Sequence, residues 1–428
     1  MIKNGRVIDP ANGIDKQCDI FIVDGDIAEV GKIERTAETI IDATNKLVTP
    51  GLVDIHVHFR QPGQEYKEDI YTGSRAAAAG GFTTVIAEPN THPPIDTASS
   101  LKSVLEIAEK QSIVHFFSKA CISKKMEGKD LAPVKELRNA GAKAISDDGH
   151  FVLDSKLMRK ALVKGKKCRV LVNPHCEESE LNIRRMAEEM KRNGQREIFP
   201  REPHNAEAGF IKRDIELAEE TKAAIHISHV SLASSVKIIA QAKKRGVQVT
   251  AEATPHHFIL TKEMVEKIGT NAKVNPPLRS EEDVEAIRRG LADGTIDIIA
   301  SDHAPHSPEE KSLSWEKAPF GIIGLETTLG LVLTYLVEPG ILTYKQAVEK
   351  MTILPAKIFK IAEEGIGSLT VGKCADVTII DPKKKWNVDA NRFYSKGRNC
   401  PFDNWELHGK AIMTIVKGQI IMENGQIK

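Results

Sequence analysis

Apolar and polar positions are patterned differently in the middle of the chain and at its two ends. Over roughly the first 47 residues, short alternating stretches such as "GRVID" and "CDIFIVDGDIAEVG" predict strands, with "VDGD" as a turn between two of them. About the last 60 residues read the same way, in "GSLTVGKCADVTIID" and "KAIMTIVKGQIIMENGQIK". The two ends are therefore predicted to pair into one small β domain.

The middle carries eight short apolar runs: "LVDIHVHF", "TTVIAEPN", "VHFFSKACI", "AKAISDDG", "CRVLVNPHCE", "AAIHISHVS", "VQVTAEATPHH" and "TIDIIASDHAPH". Amphipathic segments lie between them, among them "SSLKSVLEIAEKQ", "AEAGFIKRDIELAEETK", "SSVKIIAQAKKRG" and "SEEDVEAIRRGLADG". Several end at a glycine, which suits a helix C-terminus. Strands buried on both faces read as continuous apolar runs, and eight of them alternating with helices predict an α/β fold, a parallel (β/α)8 TIM-type barrel. A doubly wound open sheet is the competing arrangement, and the count of eight favours the barrel. The expected division is 1–47 and 365–428 for the small β-sandwich domain and 48–364 for the barrel.

Composition narrows the field. The 428 residues carry 60 basic and 59 acidic side chains, a formal charge of +1, which gives no electrostatic case for nucleic acid or an anionic membrane. Six scattered cysteines without a CxxC pair read as reduced thiols. No apolar run approaches a membrane span, and "MIKNGRVIDPANG" lacks the apolar core of a signal peptide. A soluble, cytoplasmic protein is expected.

Chemistry collects at the C-terminal ends of the apolar runs: His56 and His58, Asn90, Asp147 and Asp148, His175, His229 and Asp302. His56 and His58 sit two apart and share one side of a strand. A barrel brings all its strand C-termini to one rim, so residues far apart in sequence converge there. Each has a plainer reading alone: "SDDG" is most often a turn, Asp302 could cap a helix, and a single histidine is more often hydrogen-bonded than a ligand. Their joint placement is what those readings fail to explain. Four imidazoles and two carboxylates suit Zn2+, with Mn2+ or Co2+ allowed by affinity order. One ion with six protein ligands would leave little room for substrate, so two ions are expected per subunit. Either Asp147 or Asp148 could be the ligand on the fourth strand. Only one of His226 and His229 can face the site, and only one of His256 and His257. His92, His115, His150, His204 and His408 are expected to be non-ligands.

The quoted pieces "DIHVHFRQPG", "EPNTHPPID", "ISDDG", "VNPHCE", "HISHVS", "EATPHHFILT", "NPPLR" and "SDHAPHSPEEK", followed by "PFGIIGLET", resemble the bacterial class I dihydroorotases, cyclic amidohydrolases of the amidohydrolase superfamily. The resemblance covers essentially the whole chain. HxH is shared by the wider superfamily; "TPHHFILT", "NPPLR" and "DHAPH" together are specific. Two departures, "EPN" where "MPN" is common and the tail of "GLETTLGL", touch no ligand. The resemblance implies His56, His58, Asp148, His175, His229 and Asp302 as metal ligands, the second aspartate of "SDDG" being favoured. It implies substrate contacts from Arg60, Asn90, Asn275 and His306, with Phe320 and Gly321 near the ring. Asp148 stands where hydantoinases, dihydropyrimidinases and allantoinases have a carboxylated lysine.

The implied reaction is reversible hydrolysis of dihydroorotate to N-carbamoyl-L-aspartate in de novo pyrimidine biosynthesis, with metal-activated water and Asp302 as general acid and base. Arg60 offers a planar fork to the substrate carboxylate. The polar stretch "HSPEEKSLSWEKAPFG" is either a loop closing over substrate or a surface connection. A homo-oligomer and a complex with aspartate transcarbamoylase are partner expectations. The rivals are an allantoinase or hydantoinase, against which Asp148 and "NPPLR" argue, and an inactive scaffold, against which the full ligand set argues.

Overall fold

The computed structural model describes residues 1–177 and 206–428. His204 lies outside the described residues. Eight parallel strands follow in sequence: Leu52–Val57, Phe82–Ala87, His115–Ser118, Ala144–Ile145, Leu171–Val172, Ile225–Ile227, Val249–Ala253 and Ile298–Ile299. Each coincides with one of the eight apolar runs. The first two are buried at every position, as strands covered on both faces must be.

The first three strands pair side by side, and the last five do the same. A parallel bridge between Ala120 and Ile145 joins the groups, and one between Val57 and His303 closes the ring. The His58 amide donates to the His303 carbonyl at 2.8 Å across that closure. Strand eight thus returns to strand one, which makes the arrangement a closed barrel and not an open doubly wound sheet.

Helices on the outside begin and end where local chemistry sets them. Ile70–Gly80, Ala98–Gln111 and Glu281–Asp293 each open with a reciprocal capping box, from Asp69 and Thr72, Thr97 and Ser100, and Ser280 and Asp283. Apolar faces of these helices pack on the strands, with Leu101, Val104, Val284 and Ile287 buried.

The chain ends meet in a seven-stranded sheet ordered Gln426–Ile427, Gln419–Glu423, Glu406–Val416, Val377–Asn387, Leu47–Pro50, Arg6–Asp9 and Ile14–Gln17. A four-stranded sheet contains Asp26–Gly31, Asp19–Val23, Ile2–Lys3 and Ile41–Asp42. Ile20 and Ile27 of the smaller sheet share a buried cluster with Val7, Val48, Ile379 and Ile415 of the larger one. Two sheets facing one apolar layer form a sandwich. The "VDGD" turn joins two strands of the smaller sheet, with Asp24 and Gly25 both at positive φ.

Candidate metal centre at the barrel rim

The first barrel strand delivers His56 and His58 to the rim, and both are buried. Nδ1 of His56 lies 2.5 Å from Glu252 Oε1 of the seventh strand, which aims Nε2 the other way. There Nε2 meets Asp148 Oδ1 at 3.4 Å and Asp302 Oδ1 at 3.5 Å, without making a hydrogen bond. His58 is oriented similarly: Nδ1 contacts Asn90 Oδ1 at 2.8 Å, and Nε2 faces Asp302 at 3.1 Å and Asp148 at 3.4 Å.

A second set meets the first at Asp148. His175 Nδ1 and His229 Nε2 are 2.8 Å apart, and each lies 3.3 Å from Asp148 Oδ1. The donor atoms of His56, His58 and Asp302 fall within 4.8 Å of one another, as do those of His56, Asp148 and His229. These atoms are the right kinds and close enough to hold divalent ions. With Nδ1 engaged by Glu252, His56 has one nitrogen to give. The two donor sets share His56: one is completed by His58 and Asp302, the other by Asp148 and His229, with His175 beside Asp148.

The electrostatics match. Burial pushes the Asp148 carboxyl up, but the imidazoles of His56, His175 and His229 outweigh it and hold the group well below the usual carboxylate range. Burial likewise opposes ionisation of Asp302, and His56 and His58 reverse that too. Burial disfavours a charged His56, yet Glu88, Glu252, Asp148 and Asp302 raise its pKa well above the ordinary value. The concentration of negative charge that favours a proton on His56 equally favours a metal cation.

Asp147 points elsewhere. Its carboxylate accepts from the amides of Ile122 at 2.8 Å and Ser123 at 3.1 Å and from the Ser123 hydroxyl at 2.5 Å. His226 is also outside the cluster, held by Thr250 at 2.8 Å and Glu252 at 3.0 Å. His256 and His257 both turn to the Thr254 hydroxyl, at 3.0 and 2.8 Å, and neither joins the cluster.

The remaining candidate residues surround the donors. Arg60 is buried; Nε donates to the Pro305 carbonyl at 3.2 Å and Nη2 lies 3.2 Å from His306 Nε2. Burial lowers its pKa to about 10, against the pull of Asp302 and Asp148, so it stays a cation at neutral pH. Burial, with Arg60, Lys67 and Lys311 nearby, keeps His306 neutral. Asn90 Nδ2 donates to the Asp148 carbonyl at 3.1 Å, and Asn275 Nδ2 is 3.0 Å from His175 Nε2. His306 Nε2 contacts the Phe320 carbonyl at 2.8 Å, while Phe320 itself is 44% exposed, with Lys273 Nζ 4.5 Å from its ring centroid. Gly321 has φ +131°, and a Cβ there would come within 2.7 Å of Ala304 Cβ, so the position requires glycine.

Arg60, His229 and Asp302 all adopt left-handed backbone, with φ of 59°, 32° and 48°. Non-glycine residues are held there only when their surroundings over-determine them, a condition common at functional sites.

Sequence reasoning passed over several supporting residues. Glu252 aims His56. Glu88 forms a buried ion pair with Lys119, whose Nζ also reaches Asn173 Oδ1 at 2.5 Å. Asn399, far along the chain, donates to the carbonyls of Ala304 and Gly321 at 3.0 Å each. Lys311 binds the carbonyls of Pro319 and Gly321, also at 3.0 Å. A charged residue within an otherwise apolar run was the one available signal for Glu88, Lys119 and Glu252.

Comparison with known proteins shows the family. The chain matches the amidohydrolase family over residues 47–421. It is 47% identical over 431 residues to a dihydroorotase of Citrifermentans bemidjiense, covering 99% of each chain. It is also 47% identical over 432 residues to a dihydroorotase of Pelotomaculum thermopropionicum, covering 100% of this chain and 99% of that one. Among solved structures, the L-hydantoinase (dihydropyrimidinase) of Arthrobacter aurescens is similar with a TM-score of 0.89 at 29% identity, over 100% of this chain and 96% of that one.

Proposed function

The chain belongs to the amidohydrolase family and is a hydrolase of dihydroorotase type; we propose that it opens the ring of L-dihydroorotate reversibly to N-carbamoyl-L-aspartate at a centre for two Zn2+ ions. The substrate is carried by full-length likeness to two dihydroorotases at 47% identity. In this reading His56, His58, Asp148, His175, His229 and Asp302 hold the ions, and buried, hydrogen-bond-free His56 Nε2 supports that fit. Bound there, such ions supply Lewis acidity, activating water near neutral pH and polarising the ring carbonyl.

The chain's own groups do the rest. Asp302 accepts the proton of the attacking water and passes it to the departing amide nitrogen. His56 and His58 keep Asp302 ionised and so free of a proton before the step. Arg60 presents its charge to the substrate carboxylate. Asn90, Asn275 and His306 orient the ring, with Phe320 and Gly321 beside it. We assign catalysis to the barrel region that starts at Leu52 and not at residue 48, because the strand Leu47–Pro50 pairs in the sheet of the small β domain with segments of 1–47 and 365–428.

No helix among the described residues is long and apolar enough to cross a membrane. We place the reaction in the cytoplasm, in de novo pyrimidine biosynthesis. Homo-oligomers, or a complex with aspartate transcarbamoylase, would suit an enzyme whose substrate in the ring-closing direction is N-carbamoyl-L-aspartate.

The test is to follow ultraviolet absorbance of L-dihydroorotate with zinc-supplemented protein, with hydantoin and allantoin in parallel. Chelator-sensitive turnover of dihydroorotate alone is expected. Turnover of hydantoin or allantoin in its place would overturn the substrate assignment.

A further inference from the structure

A second group of metal-type donors lies away from the rim. His115, Cys374 and Asp376 bring an imidazole nitrogen, a thiol sulfur and a carboxylate oxygen within 4.8 Å of one another. His115 opens the third barrel strand, so it sits at the N-terminal end of the barrel, opposite the proposed catalytic centre. Cys374 and Asp376 come from the segment that leads into Val377–Asn387 of the seven-stranded sheet.

Contacts within the group are unusual for an ion pair. Nε2 of His115 and Oδ2 of Asp376 are 2.8 Å apart, yet neither atom makes a hydrogen bond. Asp376 is only 2% exposed, and the contact with His115 is what its Oδ2 has in place of a hydrogen bond. Nε2 of His115 and Oδ2 of Asp376 are thus close and buried without a hydrogen bond between them, an arrangement that a shared cation would satisfy. The other oxygen, Oδ1, is fixed by the Lys417 amide at 3.0 Å and lies 3.5 Å from Cys374 Sγ. That contact orients the carboxylate, as the carbonyl of Asp376 does by accepting from Gly51 at 2.9 Å.

We propose that His115, Cys374 and Asp376 form an additional, non-catalytic site for a divalent cation of the Zn2+ class, clasping the barrel to the C-terminal arm. Nitrogen, sulfur and oxygen donors from three side chains, with a fourth position left to water, match the ligand preference of Zn2+. His115 also lines a cavity of about 520 Å³ with Phe117, Lys417 and Glu364, which gives an ion access from solvent. Burial, then Asp376, pushes the Cys374 thiol up to about 12, so cation binding releases a proton from it. From the sequence His115 is expected to be a non-ligand, and the proposed site departs from that expectation.

Cobalt separates this site from the rim, because no cysteine is among the donors there in the described residues. The full chain is stripped with chelator, loaded with Co2+ and examined for thiolate-to-cobalt charge-transfer absorption in the near ultraviolet. The band is expected in the parent, absent in Cys374→Ser, and lost or shifted to far higher Co2+ in His115→Gln, which keeps the thiol. Dihydroorotate turnover by the cobalt-loaded variants is expected to match the parent. A parent without the band at saturating Co2+, or a band that survives in Cys374→Ser, would overturn the proposal whatever the substrate of the rim.

Discussion

Glu252 Oε1 lies 2.5 Å from Nδ1 of His56, and the same oxygen accepts from the His229 amide at 3.2 Å. One carboxylate thus orients an imidazole from the first strand and fixes the backbone of a histidine from the sixth. Carboxylates that hold a metal-binding imidazole raise its basicity and lock its tautomer. Glu252→Gln keeps the shape and removes the charge. Metal affinity is expected to fall by roughly 10–100-fold, read by chelator competition, with activity recovered at high Zn2+. Unchanged metal affinity would show that Glu252 only packs the barrel.

Adjacent aspartates should behave oppositely. Asp147 serves the turn at Ile122 and Ser123, and burial raises its pKa to about 6. Asp147→Asn retains one acceptor and loses the other, at a cost of about 1–3 kcal/mol in urea unfolding. Its metal content should stay at the parent level. Asp148→Asn leaves those amides alone but removes the carboxylate between His56, His175 and His229, so metal content and turnover should collapse together. Metal analysis of both variants separates the roles.

The same pair shows where sequence stops. Apolar runs located all eight barrel strands, including the third, His115–Ser118, which is only partly buried. Neighbouring residues on a strand end point in different directions, however, and "SDDG" does not say which aspartate faces inward. Glu252 was missed for a related reason: one carboxylate in "VQVTAEATPHH" looks like an outward position until the histidine opposite is in place. Asn399 lies 95 and 78 residues from the two carbonyls it supports, and no local pattern encodes such a contact.

Lys350 provides a pH test of the scaffold. Its ammonium is buried and donates to the carbonyls of Ile296 at 2.7 Å and Asp297 at 3.3 Å. Burial lowers its pKa to about 8 from the ordinary 10.5. Between those values the unfolded chain binds the extra proton and the folded one does not, so rising pH favours the fold. Below about pH 8 the penalty of the buried charge is fully present. The parent should therefore gain stability relative to Lys350→Met as pH rises from about 8 towards 10.5, by at most ~1.4 kcal/mol per pH unit. Denaturant unfolding of both proteins at matched pH gives the difference directly, and a flat difference would contradict a depressed pKa.

Arg60 tests how substrate is held, separately from how metal is held. Its guanidinium spans two contacts, the Pro305 carbonyl and His306 Nε2, each at 3.2 Å, from a backbone with φ of 59°. Those contacts fix the plane of the fork, and the depressed pKa of about 10 still leaves it charged throughout the neutral range. Arg60→Lys keeps a cation but substitutes a point charge on a flexible stem, which cannot hold both contacts and grip a carboxylate in two places. Losing one charge-assisted hydrogen bond of about 1.5–3 kcal/mol should lower kcat/KM for dihydroorotate by roughly 10–100-fold. Metal content should not change, since Arg60 donates to none of the six proposed ligands. Arg60→Ala should lose more activity still, again without losing metal. If metal and activity fell in parallel, the arginine would be supporting the metal centre and not the substrate.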